Sequence, residues 1–345
     1  MVVEQSLGSA ARPDGVRVAF ATAGDGPPLL FVGGWLSHLE SSWALPAERR
    51  LFEGLAHGRT LVRYDRPGCG LSDRPAPPGD ATLDAELDTL AAVVAASGAE
   101  RFDLVGSSLG APVAIAWAAR HPETVQRLVL YGGWARGAEI ADPAVREHVV
   151  GLVRGHWGLG ADVLAEIFAP EAPAALRRAL AAYQRDAAAA ETAAALLELC
   201  HRIDVTGELD ALRAPTLVLH REGDRAAPVA QARAIAAAVP GAQLRILPGR
   251  SHLPFVGDVD AVVRAVRPFL GLPALRRGPS RPLTARQEEV AALVADGRTN
   301  REIGARLGIG ERSAEGHVER IRLRLGVRSR AQIAAWWAAF DEGRA

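Results

Sequence analysis

Short apolar runs recur along most of the chain, each closed by a turn and followed by a stretch of helical periodicity. They lie at Gly15–Ala21, Leu29–Val32, Thr60–Tyr64, Phe102–Val105, Arg127–Tyr131, Thr216–Leu219 and Gln243–Leu247. Runs such as Leu29-Leu30-Phe31-Val32 and Leu217-Val218-Leu219 are apolar at every position, the pattern of strands covered on both faces. Strand and helix in alternation predict an α/β fold, a mostly parallel sheet with helices on each side. Between Ala135 and Leu212 the strand pattern disappears and an alanine-rich helical pattern replaces it, so a helical cap inserted into the series is expected there. At Gly271–Pro282 prolines, glycines and arginines crowd together, and neither a helix nor a sheet interior tolerates that composition. This segment predicts a linker.

From Leu283 the pattern changes to short helices with recognisable starts. Thr284 with Gln287, Thr299 with Glu302 and Ser329 with Gln332 each fit S/T-x-x-E/Q, in which two side chains reciprocally satisfy free backbone N–H groups. Gly310 is a weaker start for a further helix. Val290, Leu293, Val294, Ile303, Leu307, Val318, Ile321 and Leu325 recur at helical spacing and predict one small core. Arg301–Leu307, the turn Gly308-Ile309-Gly310 and the helix from Glu311 then form a helix-turn-helix. The expected organisation is residues 1–270 as one α/β domain with its cap at about 135–212, a linker at 271–282, and a small all-α domain at 283–345.

Composition alters this picture in few places. Of 345 residues 49% are apolar, enough for a large core. The 40 basic residues are all arginine and are balanced by 40 acidic ones. The balance is uneven along the chain: residues 276–345 hold 14 arginines against 9 acids, leaving 26 against 31 elsewhere. A basic end on an acidic body suits a polyanionic partner. The two cysteines, Cys69 and Cys200, make no disulfide framework. No signal-peptide pattern opens the sequence and no apolar run reaches transmembrane length, so a cytoplasmic protein without membrane contact is expected. Nothing in the motifs calls for a cofactor or a metal.

The chemistry-bearing motif is Gly106-Ser107-Ser108-Leu109-Gly110, directly after the run Phe102–Val105 and before the helical run Pro112–Arg120. A G-x-S-x-G sequence at a strand-to-helix turn exposes a serine hydroxyl at a helix N-terminus. Such a serine needs a base oriented by a carboxylate, in the chain order Ser, Asp/Glu, His. Asp224 in the turn after Thr216–Leu219 and His252 in the turn after Gln243–Leu247 fit that order, with Glu222 as the alternative acid. The catalytic candidates are therefore Ser108, Asp224 and His252. Two backbone N–H donors would stabilise the oxyanion, one from Leu109 and one from Gly33-Gly34-Trp35, taken at Trp35. Gly34, Leu36, Trp134 and Trp157 are expected to line the substrate pocket, between the sheet's carboxyl edge and the cap.

Residues from about 15 to 270 resemble the α/β-hydrolase family in these motifs and in Tyr64–Asp73, which is similar to the family's D-x-R-G-x-G-x-S turn. Gly34-Trp35-Leu36-Ser37-His38-Leu39-Glu40 resembles hydrolase domains fused to nucleotide cyclases or regulators. Gly33 stands where the family commonly has histidine, which leaves the substrate class open. The C-terminal segment resembles the LuxR-type helix-turn-helix through Leu283-Thr284, Gly297–Ile303, Leu307-Gly308-Ile309, His317-Val318 and Leu325–Arg330. That resemblance implies a homodimer on duplex DNA, with Glu311–Leu325 as recognition helix in the major groove. It implies DNA contacts at Thr299, Asn300, Arg312, Ser313, Glu315, Gly316, Glu319, Arg320, Arg324 and Arg328. Glu315 and Glu319 depart from the family, which often presents basic or neutral residues there. On the final helix Ile333, Trp337 and Phe340 share a face, which suits either core packing or a dimer contact.

The reading that absorbs most of these features is a transcription regulator whose hydrolase domain binds and hydrolyses a small acyl or ester ligand. Two alternatives stay open: a serine hydrolase whose small domain only localises or dimerises it, and a ligand sensor with an idle triad.

Overall fold

The computed structural model describes residues 3–74, 81–275, 283–325, 327 and 329–342, without the side chains of 338–342. The chain separates into two compact units, Met1–Ala274 and Leu275–Ala345. Most of the expected linker, 276–282, lies outside the described residues.

Among the described residues the larger unit is built on eight strands: β1 (Gln5–Ala11), β2 (Arg17–Ala23), β3 (Pro28–Val32), β4 (Thr60–Tyr64), β5 (Phe102–Ser107), β6 (Val125–Tyr131), β7 (Thr216–Arg221) and β8 (Gln243–Leu247). They form one sheet in the order β1-β2-β4-β3-β5-β6-β7-β8. β1 pairs antiparallel with β2, and β2 antiparallel with β4. From β4 to β8 every pairing is parallel. Among the described residues ten α-helices belong to this unit: α1 (Leu39–Ala44), α2 (Pro46–Ala56), α3 (Leu83–Ser97), α4 (Gly110–Arg120), α5 (Pro143–Gly155), α6 (Trp157–Phe168), α7 (Ala174–Ala187), α8 (Ala190–Arg202), α9 (Val229–Ala238) and α10 (Val259–Phe269).

Side chains alternate along each strand, so the sheet divides its apolar residues between two layers. Leu30, Val62, Leu104, Leu128 and Val218 pack against α3, α4 and α9. Leu29, Leu61, Val105, Val129 and Leu217 face α2 and α10 on the other side. The helices α5 to α8 occupy the stretch between β6 and β7, and α8 and α6 contribute to the two layers through Leu196 and Ala161 respectively.

β1 was not among the expected strands. Its Gln5-Ser6-Leu7-Gly8-Ser9-Ala10-Ala11 sequence is largely exposed on the sheet edge and has no apolar run to reveal it. Gly8 leaves room there for the Phe20 ring of the paired strand, whose tip would stand 2.6 Å from a Cβ.

The smaller unit has α11 (Ala285–Ala295), α12 (Asn300–Leu307), α13 (Glu311–Leu325) and α14 (Arg330–Glu342). Both threonine capping boxes are closed, Thr284 with Gln287 and Thr299 with Glu302. Ser329 and Gln332 make the same reciprocal pair at 3.2 and 3.0 Å. Gly308 takes a left-handed φ of 66° to end α12. Ile309 N–H then bonds the Gly304 carbonyl at 2.9 Å, and a Cβ on Gly304 would meet the Ile309 oxygen at 2.7 Å. Val290, Val294, Ile303, Ala314, Val318, Ile321 and Ile333 close the core. Trp336 and Trp337 pack against it, so α14 spends one face inward, while the Phe340 side chain is outside the described residues.

Candidate active site

Ser108 sits between β5 and α4 with φ 55°, the one non-glycine residue at positive φ among the described residues. That conformation is costly for a residue with a Cβ and persists only where its surroundings enforce it. The surroundings do so here. A Cβ at Gly106 would lie 2.4 Å from the Gly110 oxygen, and one at Gly110 would lie 2.0 Å from the Val32 oxygen. The turn is held by Ser108 N–H to Tyr131 O at 2.9 Å and Ala111 N–H to Ser108 O at 2.8 Å. The glycines of the motif thus permit helix and strand to approach closely enough to lift the serine into the cavity.

His252 Nε2 stands 2.8 Å from Ser108 Oγ, and His252 Nδ1 stands 2.7 Å from Asp224 Oδ2. Asp224 Oδ1 accepts from the Ala226 and Ala227 N–H groups at 2.9 and 3.2 Å. Burial alone would raise the Asp224 carboxyl; the facing His252, by charge and hydrogen bond, together with His220 and the Ala226 N–H, holds it below the usual carboxylate range. The expected serine, acid and histidine are therefore brought together in hydrogen-bond register. Glu222, the alternative acid, is exposed and remote in role: its N–H pairs with Leu247 O at 2.9 Å. The chemistry open to this arrangement is nucleophilic attack by Ser108, with His252 taking its proton.

Sequence reasoning missed two residues that shape the site. His220, fully buried at the end of β7, puts Nε2 3.4 Å from Asp224 Oδ2 and bonds the Ala227 carbonyl at 2.9 Å. Burial pushes its imidazole down, against the pull of Asp224. Its place at the end of an otherwise apolar run was the available signal. Arg66 is the second. It is fully buried, pairs with Glu86 at 2.7 Å, and donates to the carbonyls of Gly33 (3.1 Å) and Gly34. In a trans peptide the next N–H points opposite to the carbonyl, so this clamp fixes the direction of the Trp35 N–H. Neither Trp35 N–H nor Leu109 N–H has a hydrogen-bond partner among the described residues, and Gly34 is packed near the Ser108 Cβ.

Two cavities meet at Ser108 and His252. One is lined by Gly34, Trp35, Leu36, Phe52, Leu180 and Phe255 among others; the second by Trp35, Trp134, Val149, Leu164, Ile167 and Leu197. Trp35 and Phe168 border both. Of the four residues expected at a substrate pocket, Gly34, Leu36 and Trp134 lie on these walls. Trp157 does not. Its ring packs edge-on behind Trp35 at 6.2 Å and its Nε1–H is taken by Ala188 O at 2.9 Å, so it supports the wall instead of forming it. Among the described residues no cluster of three potential ligands could hold a metal.

A model of the alpha/beta hydrolase fold matches residues 27–156, and one of the bacterial regulatory proteins of the luxR family matches residues 281–337. The chain is similar to pimeloyl-[acyl-carrier protein] methyl ester esterase of Xanthomonas campestris pv. campestris, 33% identical over 260 residues, 72% of this chain and 96% of that one.

The chain is an alpha/beta hydrolase carrying a luxR-family domain.

Another relative of its hydrolase domain is pyrrolizixenacetamide deacetylase of Xenorhabdus hominickii, 30% identical over 74% of this chain and 94% of that protein. Among solved structures, an esterase from Rhodococcus superposes with a TM-score of 0.67 at 25% identity, covering 77% of this chain and 98% of that one.

In the luxR-family domain Ala314, Val318 and Ile321 turn α13 inward, which leaves Arg312, Ser313, Glu315, Glu319, Arg320 and Arg324 exposed and Gly316 half-buried. Two of these are engaged within the domain: Glu319 with Arg322 at 2.8 Å and Arg324 with Gln287 at 3.3 Å. Thr299 is spent on its capping box, and Asn300 Oδ1 accepts from Arg330 at 2.8 Å. Arg328 lies outside the described residues. No helix among the described residues is long and apolar enough to cross a membrane.

Proposed function

We propose that this protein is a transcription regulator whose hydrolase domain binds a small acyl compound and hydrolyses it at Ser108. The reading is supported above all by the unbroken link Ser108–His252–Asp224, at 2.8 and 2.7 Å, on the same chain as a luxR-family domain. Esterase and deacetylase activities, named for the relatives, are both acyl transfer to water.

In this mechanism Ser108 Oγ attacks the acyl carbon as its proton passes to His252 Nε2. Asp224 keeps the imidazole in the Nδ1–H tautomer and stabilises the imidazolium. The Trp35 and Leu109 N–H groups receive the oxyanion. His252 then gives its proton to the leaving group, and a water activated by the same imidazole releases the acyl group from Ser108. Asp224, His252 and Ser108 are the catalytic residues; Arg66 is a positioning residue for the oxyanion donors.

The luxR-family domain binds duplex DNA as a homodimer, with Arg312, Ser313, Glu315 and Arg320 of α13 toward the groove. Two recognition helices related by a two-fold axis read half-sites about one helical turn apart. The test is a gel shift of the full chain on fragments of the parent genome, with and without a methyl ester. The wild type should recover its ester-free DNA affinity as the ester is consumed, and Ser108→Ala should stay in the ester-bound state. If no fragment shifts at low salt, the regulator reading fails and a hydrolase alone remains.

A further inference from the structure

The first cavity beside Ser108 is apolar over most of its wall, with Phe31, Leu51, Phe52, Leu180 and Phe255. Polar side chains from three elements also face it: Glu48 of α2, Arg63 of β4 and Gln184 of α7. Two of them have an atom with nothing to bond. Glu48 Oε2 and Gln184 Oε1 are buried without a hydrogen-bond partner among the described residues. Gln184 is anchored by its other end, Nε2 donating to Ala161 O at 3.0 Å, so its free oxygen is held in place. Gln184 is 5% exposed.

Arg63 is unusual in the opposite sense. Its guanidinium is buried, donates only to the neutral Ser42 Oγ (2.9 Å) and Gln5 Oε1 (2.6 Å), and lies over the Phe52 ring at 3.9 Å. No carboxylate among the described residues comes within 4.0 Å of it. A buried cation and a buried carboxyl therefore line one chamber without touching. Burial raises the Glu48 carboxyl to about 8, against the pull of Arg63. Buried polar atoms left unpaired in a native protein are the ones a ligand or water satisfies.

The identity of that ligand group follows by elimination. A carboxylate has no hydrogen to give the Gln184 oxygen and would leave it unpaired. An ammonium would meet Arg63. A methyl group would leave every one of these atoms unpaired. What fits is a small neutral group that both donates and accepts, and a hydroxyl is the smallest.

We propose that this cavity is a specificity subsite for a hydroxyl-bearing arm of the substrate, with Glu48 and Gln184 as its recognising residues. The word substrate rests on the hydrolase reading of Ser108; the subsite itself does not. Buried groups built to bond a hydroxyl discriminate strongly against its apolar isostere, because the isostere strands them.

The experiment uses full-length Ser108→Ala protein and calorimetric binding of methyl ω-hydroxyalkanoates of about four to eight carbons, the span of a small apolar cavity. Each is paired with the methyl alkanoate in which a methyl replaces the hydroxyl. At the best length the hydroxy ester should bind at least about tenfold more tightly. Adding Glu48→Leu should bring the pair level; adding Glu48→Gln, which keeps an acceptor and the side-chain shape, should retain part of the preference. Gln184→Leu should lower the preference as well, which guards against misfolding of one variant. Equal binding of the pair at every length would mean a water-filled chamber only and would overturn the proposal. So would binding of neither ester, or a preference that survives Glu48→Leu. Because no turnover is measured, selective binding by a protein whose wild type hydrolyses no ester would retain the subsite and discard the hydrolase reading.

Discussion

Replacing Glu48 by glutamine isolates the cost of keeping a carboxyl inside the cavity. Burial lifts its pKa from an ordinary 4.5 to about 8, so the native protein holds a proton that the unfolded chain has released above pH 4.5. The sign follows from linkage: the stability associated with that proton is fully present below about pH 4.5 and is lost as the pH rises through about 8. At about 1.4 kcal/mol per tenfold in proton affinity, the full span is at most about 5 kcal/mol. The Glu48 residue as a whole is half-buried, which reduces the expected loss to about 2–4 kcal/mol. Glutamine carries no titrating proton and keeps the shape. Urea unfolding of wild type and Glu48→Gln at pH 5 and pH 8.5, followed by tryptophan fluorescence, measures the difference. The wild type should lose stability relative to the variant across that window. Parallel pH dependence of the two proteins would refute the assignment of a neutral carboxyl in the cavity.

Further outcomes follow from the same geometry. Asp224→Asn should lower kcat for ester hydrolysis by about 10^4, about 5.5 kcal/mol of barrier, because the amide selects the wrong His252 tautomer; a loss under tenfold in a p-nitrophenyl ester assay would contradict the role given to Asp224. Thr299→Ala opens one capping box and should cost about 1 kcal/mol, lowering the calorimetric transition of the luxR-family domain by a few degrees; an unmoved transition would remove the cap from the account. Arg320→Ala should weaken all DNA sequences alike and reduce the salt slope by about one, measured by salt-titrated gel shift. An unchanged slope would take Arg320 off the phosphates.

The parts of the fold legible in the sequence are those with a strong local signature. β3 and the runs Leu104-Val105 of β5 and Leu217-Val218-Leu219 of β7 are apolar because both faces are covered, and the capping boxes of α11, α12 and α14 are purely local pairings. Ser108, Asp224 and His252 could be paired from sequence because each follows a parallel strand, and parallel strands deliver their following turns to one edge. β1 carried no such signal, being a half-exposed edge strand of small residues. The inner wall of the cavity was also invisible. Glu48 and Arg63 are separated along the chain and charged, and such residues are ordinarily solvated. Arg63 within the run Thr60–Tyr64 was the one hint, since a strand buried on both faces seldom carries a cation. Trp157 was misplaced for a related reason: aromatic character locates a residue near the core, and only packing decides whether it faces the cavity or, like Trp157, stands behind Trp35.

The central claim is that Ser108 is a nucleophile activated by His252. Full-length protein treated with a fluorophosphonate and digested for mass spectrometry tests it most directly. The account predicts one adduct, on the peptide holding Gly106–Gly110, absent from Ser108→Ala and strongly reduced in His252→Ala. Labelling of Ser108→Ala equal to wild type, or no labelling of the folded wild type, would contradict it.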